Sequence, residues 1–277
     1  VYLYHYGYAL NPEAMAKKQA RSEELLRNQV AKDDKDAFAY SNLAQLLRAK
    51  NDNEASYNAA LRALEISLNL PEKPLNIIIM SYEQMGSCLM FNGQFEPAIQ
   101  NFKAALEYKK DHLDSIINLG FCYLNLNNYK EAEFWFKRYL IIHSIYSVEN
   151  DTSNIIMNHL NSLFIVYYHL GLIYKEQGKY EIAITHFEKS CEIEPGFSDG
   201  LRDMLMCFLE LDKHREIMIR INKYVEMNPD KHHIAHNLLA DIELENLRVE
   251  HAKLQAYQAF YLSKGKPEEK AFESKYN

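Results

Sequence analysis

Along the central part of the chain, apolar residues recur three and four positions apart, which places them on one face of a helix. Ile116, Leu119 and Tyr123 form one such face, and Ala132, Phe136 and Tyr139 form the next. Between them stand turn-forming residues: Asn92-Gly93, Asn127-Asn128 and Gln177-Gly178-Lys179. The pattern predicts paired helices joined by tight turns. It also repeats. Gly86 and Gly120 are 34 residues apart, and Ala98, Phe102 and Ala105 precede Ala132, Phe136 and Tyr139 by the same offset. A third copy reads Tyr167, Leu170, Gly171 and Tyr174, then Ala183, Phe187 and Pro195. A fourth reads Leu201, Met204, Leu205 and Phe208, then Ile217, Ile221, Tyr224 and Pro229. A glycine inside a helix costs about 1 kcal/mol relative to alanine, tolerable where the missing side chain lets two helices approach.

This succession of a large residue, Leu-Gly, an aromatic, then Ala, aromatic, Ala and a closing Pro resembles the tetratricopeptide repeat family. The resemblance spans about 36–265 and is clearest in 79–144 and 164–230. It implies an all-α fold: a right-handed superhelical solenoid of antiparallel helix pairs, about six repeats long. Weaker copies flank the clear ones. Tyr40, Leu43, Ala44 and Leu47 with Ser56, Ala60 and Ala63 make the first; Leu239, Ala240, Ala252, Ala256 and Ala259 make the last. Residues 11–35 read as a capping helix, with Asn11 as N-cap and Pro12 in its first turn. Residues 266–277 read as a polar tail.

The register breaks twice. Ala44 and Gly86 are 42 residues apart, eight beyond one period, and Leu70-Pro71-Glu72-Lys73-Pro74 is the expected site of the excess. Gly120 and Gly171 are 51 apart, which places a 17-residue insertion near 145–162. That insertion is expected to lengthen both flanking helices around a loop, a position that often serves binding.

Composition narrows the function classes. Apolar residues make up 48% of the 277, enough for a continuous core, and only 16 residues are glycine or proline. A formal charge of −7 argues against nucleic acid, which calls for a concentrated basic face. No apolar run approaches the roughly 18 to 20 residues that span a bilayer, and no signal peptide is visible. A soluble, cytoplasmic protein is expected, and the start at Val1 suggests a piece of something longer.

The candidate chemistry is sparse. Cys88, Cys122 and Cys207 share the tenth repeat position, which predicts small buried core residues rather than metal ligands or disulfide partners. His232 and His236 are four apart at a helix start, without a third ligand at a strong spacing. Asp34-Lys35-Asp36 matches the metal-binding Asp-x-Asp of glycosyltransferases but precedes a helix, where aspartate caps free amides. Asn150-Asp151-Thr152 fits a glycosylation sequon. No nucleotide-binding glycine loop or nucleophile motif is present, so neither a cofactor nor a catalytic constellation is expected.

Val1-Tyr2-Leu3-Tyr4-His5-Tyr6-Gly7-Tyr8 is aromatic and β-prone, unlike everything after it. With Arg27-Asn28 downstream, it resembles the end of the catalytic domain in bacterial family 2 glycosyltransferases that continue into tetratricopeptide repeats. That resemblance implies an accessory region of such an enzyme, with His5 at the edge of its missing site. The alternative is a free-standing adaptor or co-chaperone-like protein without enzymatic activity.

For the repeat family, the resemblance implies a peptide- or protein-binding concave groove lined by first-helix residues. The sixth repeat position gives Asn42, Gln84, Asn118, His169 and Asp203, with Asn237 if the last repeat keeps register. Amides there can pair with an extended peptide backbone. Phe38, Met80, Met90, Ile117, Phe121, Tyr168, Leu172 and Met206 surround them. The fifth positions, Ser41, Glu83, Ile117, Tyr168 and Arg202, lack the basic clamp that other members use for acidic tails. The expected partner is therefore an extended, largely apolar or aromatic segment, with self-association a further expectation.

Overall fold

The computed structural model describes residues 12–149 and 162–245. Every described element is helical, and the chain divides into two compact units, 1–160 and 161–277. In the first unit, α1 (Pro12–Lys32) packs on α2 (Ala37–Ala49), which pairs with α3 (Asn53–Asn69). Two more pairs follow: α4 (Leu75–Phe91) with α5 (Phe95–Tyr108), and α6 (Leu113–Asn125) with α7 (Tyr129–Glu149). In the second unit, α8 (Leu163–Glu176) pairs with α9 (Tyr180–Ile193) and α10 (Ser198–Glu210) with α11 (His214–Met227). A short 3₁₀ turn then leads into α12 (His232–Glu245), which packs on α10 and α11. The fold is all-α, built from antiparallel helix pairs, as the repeat predicts.

The three mid-helix glycines explain how tightly each pair closes. A Cβ on Gly120 would lie 2.5 Å from the Phe136 ring, one on Gly171 2.5 Å from Phe187, and one on Gly86 2.8 Å from Phe102. Each of those phenylalanines is fully buried. The ring occupies the volume that a side chain would need, so the helix-propensity penalty is exchanged for dense packing.

The turns inside the pairs obey one rule. Asn51, Gly93, Asn127, Gly178 and Asp212 all occupy the fifteenth repeat position, and all have positive φ, between 56° and 74°. Glycine and asparagine tolerate that conformation most readily, which is why the turns are legible in the sequence. At helix starts, Asp36 Oδ1 accepts from the Ala39 amide at 2.9 Å and Asp52 Oδ1 from the Ala55 amide at 3.2 Å. The Asp-x-Asp element is thus a helix cap.

Successive pairs are tied through their connecting turns. Arg62 and Arg138, both at the twenty-sixth position, donate to the Asp34 and Lys110 carbonyls at 3.5 and 2.7 Å. In the second unit Asn228 and Lys231 take over, donating to the Pro195 and Gly196 carbonyls at 3.0 and 3.2 Å.

The register breaks are absorbed differently from expectation. The eight extra residues before Gly86 are not held in the 70–74 loop. α3 has 17 residues against 14 in α5, and α4 has 17 against 13 in α6, so most of the excess is helix. Added turns satisfy their own backbone groups, whereas a long loop would leave them to water. At the second break only the preceding helix is visibly longer. α7 runs 21 residues to Glu149, while α8 keeps 14. Residues 1–11, the sequon and centre of the 145–162 insertion, the second half of the last repeat and the 266–277 tail lie outside the described residues.

Candidate functional site: the first-helix faces

The face formed by α2, α4 and α6 is largely closed. Gln84 is only 4% exposed, and its Nε2 donates to Ser56 Oγ at 3.0 Å. Ser56 in turn donates to the Ala44 carbonyl at 2.8 Å and accepts from Cys88 at 3.4 Å. Where the next three repeats carry Ala98, Ala132 and Ala183, Ser56 makes a polar hub that draws the Gln84 amide inward. Asn118 is 2% exposed, and its amide nitrogen makes no hydrogen bond among the described residues. Beside it Glu83 and Asp114 are also buried. Glu83 accepts from Ser87 Oγ at 2.7 Å and meets Arg48 at 3.5 Å. Burial holds the Glu83 carboxyl above its usual range, Arg48 opposes that rise and Asp114 adds to it. Phe121 is half-buried and stands edge-on to Phe136, centroids 5.3 Å apart. Asn42 keeps partial exposure, and Phe38 and Phe91 are 60% and 69% exposed.

The face formed by α8 and α10 is more open. Tyr168, His169, Leu172 and Met206 are all half-buried. The Tyr168 hydroxyl donates to Asp203 Oδ2 at 2.8 Å, and Lys175 Nζ donates to Asp203 Oδ1 at 2.6 Å. Asp203 is buried, and this pairing satisfies both of its oxygens. Burial, then the Asp203 carboxylate, pushes the Tyr168 phenol up. The ring meets Phe197 edge-on at 4.9 Å and leans on Phe187 at 5.8 Å. Leu172 and Met206 pack on the same core cluster. Burial lowers His169 to about 4, so its imidazole is neutral at pH 7.

Arg48 and Lys175, which sequence reasoning missed, carry the cations of these networks. Both occupy the twelfth repeat position. Their partners lie 35 and 28 residues downstream, on the next first helix. Opposite charges at about one period were the available signal.

The remaining candidates fall elsewhere. Cys88, Cys122 and Cys207 are buried free thiols, with Cys122 and Cys207 pushed by burial to about 12. His232 is exposed at the start of α12. No group of three His, Cys, Asp or Glu able to hold a metal occurs among the described residues. No described helix is long and apolar enough to cross a membrane.

Stacked helix pairs whose glycines seat the aromatic ring of the partner helix define a helical-repeat scaffold. Family models identify the repeat: tetratricopeptide repeats match residues 89–143 and 164–197. The second of these spans coincides with α8, α9 and their connecting turns. No curated protein matches the chain in sequence. Among solved structures, the C-terminal part of a tetratricopeptide-repeat protein from Cytophaga hutchinsonii aligns with TM-score 0.61 at 17% identity, over 93% of this chain and 95% of that one. PilF of Pseudomonas aeruginosa aligns with TM-score 0.58 at 15% identity, over 87% and 98%. YrrB, described as a tetratricopeptide-repeat protein with an unusual peptide-binding site, aligns with TM-score 0.54 at 19% identity, over 77% and 96%. These likenesses establish the fold.

Proposed function

We propose that the chain is a binding scaffold whose first-helix faces hold an extended, largely apolar segment of a peptide or protein. The supporting observation is the exposure of large apolar side chains on those helices. Phe38 and Phe91 are the most exposed, and Tyr168, Leu172 and Met206 are half-open around a satisfied polar centre. Asn42 is the amide best placed to meet a ligand backbone, because Gln84 and Asn118 are buried. Phe121 and His169 would support the face from below. The peptide-binding site of the similar YrrB is consistent with this reading. Four free thiols suit a reducing compartment, in keeping with a cytoplasmic location.

The accessory region of a family 2 glycosyltransferase is the finer reading. It rests on His5-Tyr6-Gly7-Tyr8 and Arg27-Asn28 alone. The experiment is selection of peptides from a displayed library on the wild-type chain, followed by Phe38→Ser, Phe91→Ser and Leu172→Ser. Enrichment of aromatic or aliphatic peptides, with at least tenfold weaker binding by the variants and an unchanged melting temperature for Phe38→Ser and Phe91→Ser, supports the reading. Selection of acidic peptides, or binding indifferent to all three changes, refutes it.

A further inference from the structure

On the side of the second helices, away from the face above, a cavity of about 160 Å³ opens between α9 and α11 with α10 as its floor. The repeat explains why it is there. Position twenty-eight is Leu64, Leu106 and Leu140 in the first three pairs, and Cys191 in the fourth. A thiol replaces a branched four-carbon side chain, and the neighbouring second helix does not close the gap. Leu201 and Met204 supply apolar walls, and the Glu188–Arg220 ion pair stands at the mouth. Tyr224 also lines the space. It is 5% exposed, and its hydroxyl makes no hydrogen bond among the described residues. A buried donor without an acceptor is costly, and a ligand oxygen would satisfy it.

We infer that this cavity is a binding site for a small uncharged molecule: one ring-sized apolar body carrying a single hydrogen-bond acceptor directed at Tyr224. Size fits, since a cavity of about 150 Å³ lined by apolar side chains accommodates benzene. Charge fits as well. Glu188 and Glu192 balance Arg220 and Lys223 around the opening, so the mouth selects neither anion nor cation. The site shares no named residue with the peptide-binding face and does not depend on that reading.

Acetophenone, with a ring and a carbonyl, and ethylbenzene, with the ring alone, are the probes. Binding to the full chain is followed by ligand-observed NMR and by protection of Cys191 from a maleimide. Burial holds the Cys191 thiol at about 11, so its modification is slow enough to time. Acetophenone is expected to bind saturably, to slow Cys191 modification at least tenfold, and to bind about fivefold tighter than ethylbenzene. Tyr224→Phe should remove that preference while leaving ethylbenzene binding unchanged. Cys191→Leu should abolish binding of both without lowering the melting temperature. No saturable binding to the wild-type chain would overturn the site, and equal affinity for the two probes would overturn the role of Tyr224.

Discussion

The two units are built on the same kind of core and differ in the face they present. In both, a glycine of the first helix lies against a buried phenylalanine of the second, and core aliphatics follow the same register. In the first unit, however, Gln84, Asn118, Glu83 and Asp114 have sunk into the interior, while the exposed apolar residues stand at the ends of α2 and α4. In the second, one buried carboxylate, Asp203, is satisfied by Tyr168 and Lys175, and the half-open surface around it is apolar. One backbone repeat thus supports a closed polar face and a more open aromatic one. The difference lies in where each long side chain finds its partner, because the repeat constrains the core positions and leaves the others free.

Four experiments press on this contrast, the largest effect first. If the cores are equivalent, Phe136→Ala and Phe187→Ala should each cost about 3–5 kcal/mol, read from denaturant midpoints. A difference of more than about 2 kcal/mol between them would mean that the glycine–aromatic contact is not equivalent in the two units.

The faces should respond to pH with opposite sign. His169 is lowered from 6.5 to about 4, so its contribution is present above pH 6.5 and lost as pH falls toward 4. Relative to His169→Gln, the wild-type chain should lose up to about 3 kcal/mol over that interval. The folded-state pKa of Glu83 is raised, so its contribution is full below the ordinary carboxylate range and lost as pH rises. Relative to Glu83→Gln, the wild-type chain should therefore be less stable at pH 7 than at pH 4. Parallel slopes for the two pairs would contradict the electrostatic distinction.

Ser56→Ala keeps a residue that fits this position in other repeats but leaves the Gln84 amide buried without its acceptor, at a cost of about 1–3 kcal/mol. Tyr168→Phe, half-open and with Lys175 still on Asp203, should cost about 1 kcal/mol. Thermal denaturation of both variants compares the closed network with the open one; the reverse order would place the open face inside. Last, Phe38→Ser and Phe91→Ser should change stability by less than about 0.5 kcal/mol in the same assay. A larger loss would show that these rings pack rather than wait for a ligand.

The core was legible because it obeys a period. Leu43, Met85, Leu119, Leu170 and Met204 recur at one repeat position where first helices meet their partners, and all are buried as the spacing requires. The cysteines were legible for the same reason, since a shared tenth position makes them interior. Capping by Asp36 was legible from its place before an apolar run. The candidate groove was legible only as a set of positions. Nothing in the spacing of Gln84 and Asn118 says that one amide turns to Ser56 and the other is covered, because that depends on residues a period away.

The sequence by itself determined the helix pairs, their turns and the identity of the repeat, because each depends on residues within one period and on local conformational preference. Asn51, Gly93, Asn127, Gly178 and Asp212 illustrate this: the turn needs φ above zero, and these residue types reach it most readily. The tertiary structure alone decided which faces are open, how the first register break became extra helix rather than loop, and that a cysteine at a leucine position leaves a cavity beneath Arg220. Those outcomes depend on packing between repeats, where the volume and hydrogen-bonding of one side chain are set by neighbours some 30 residues away in the chain.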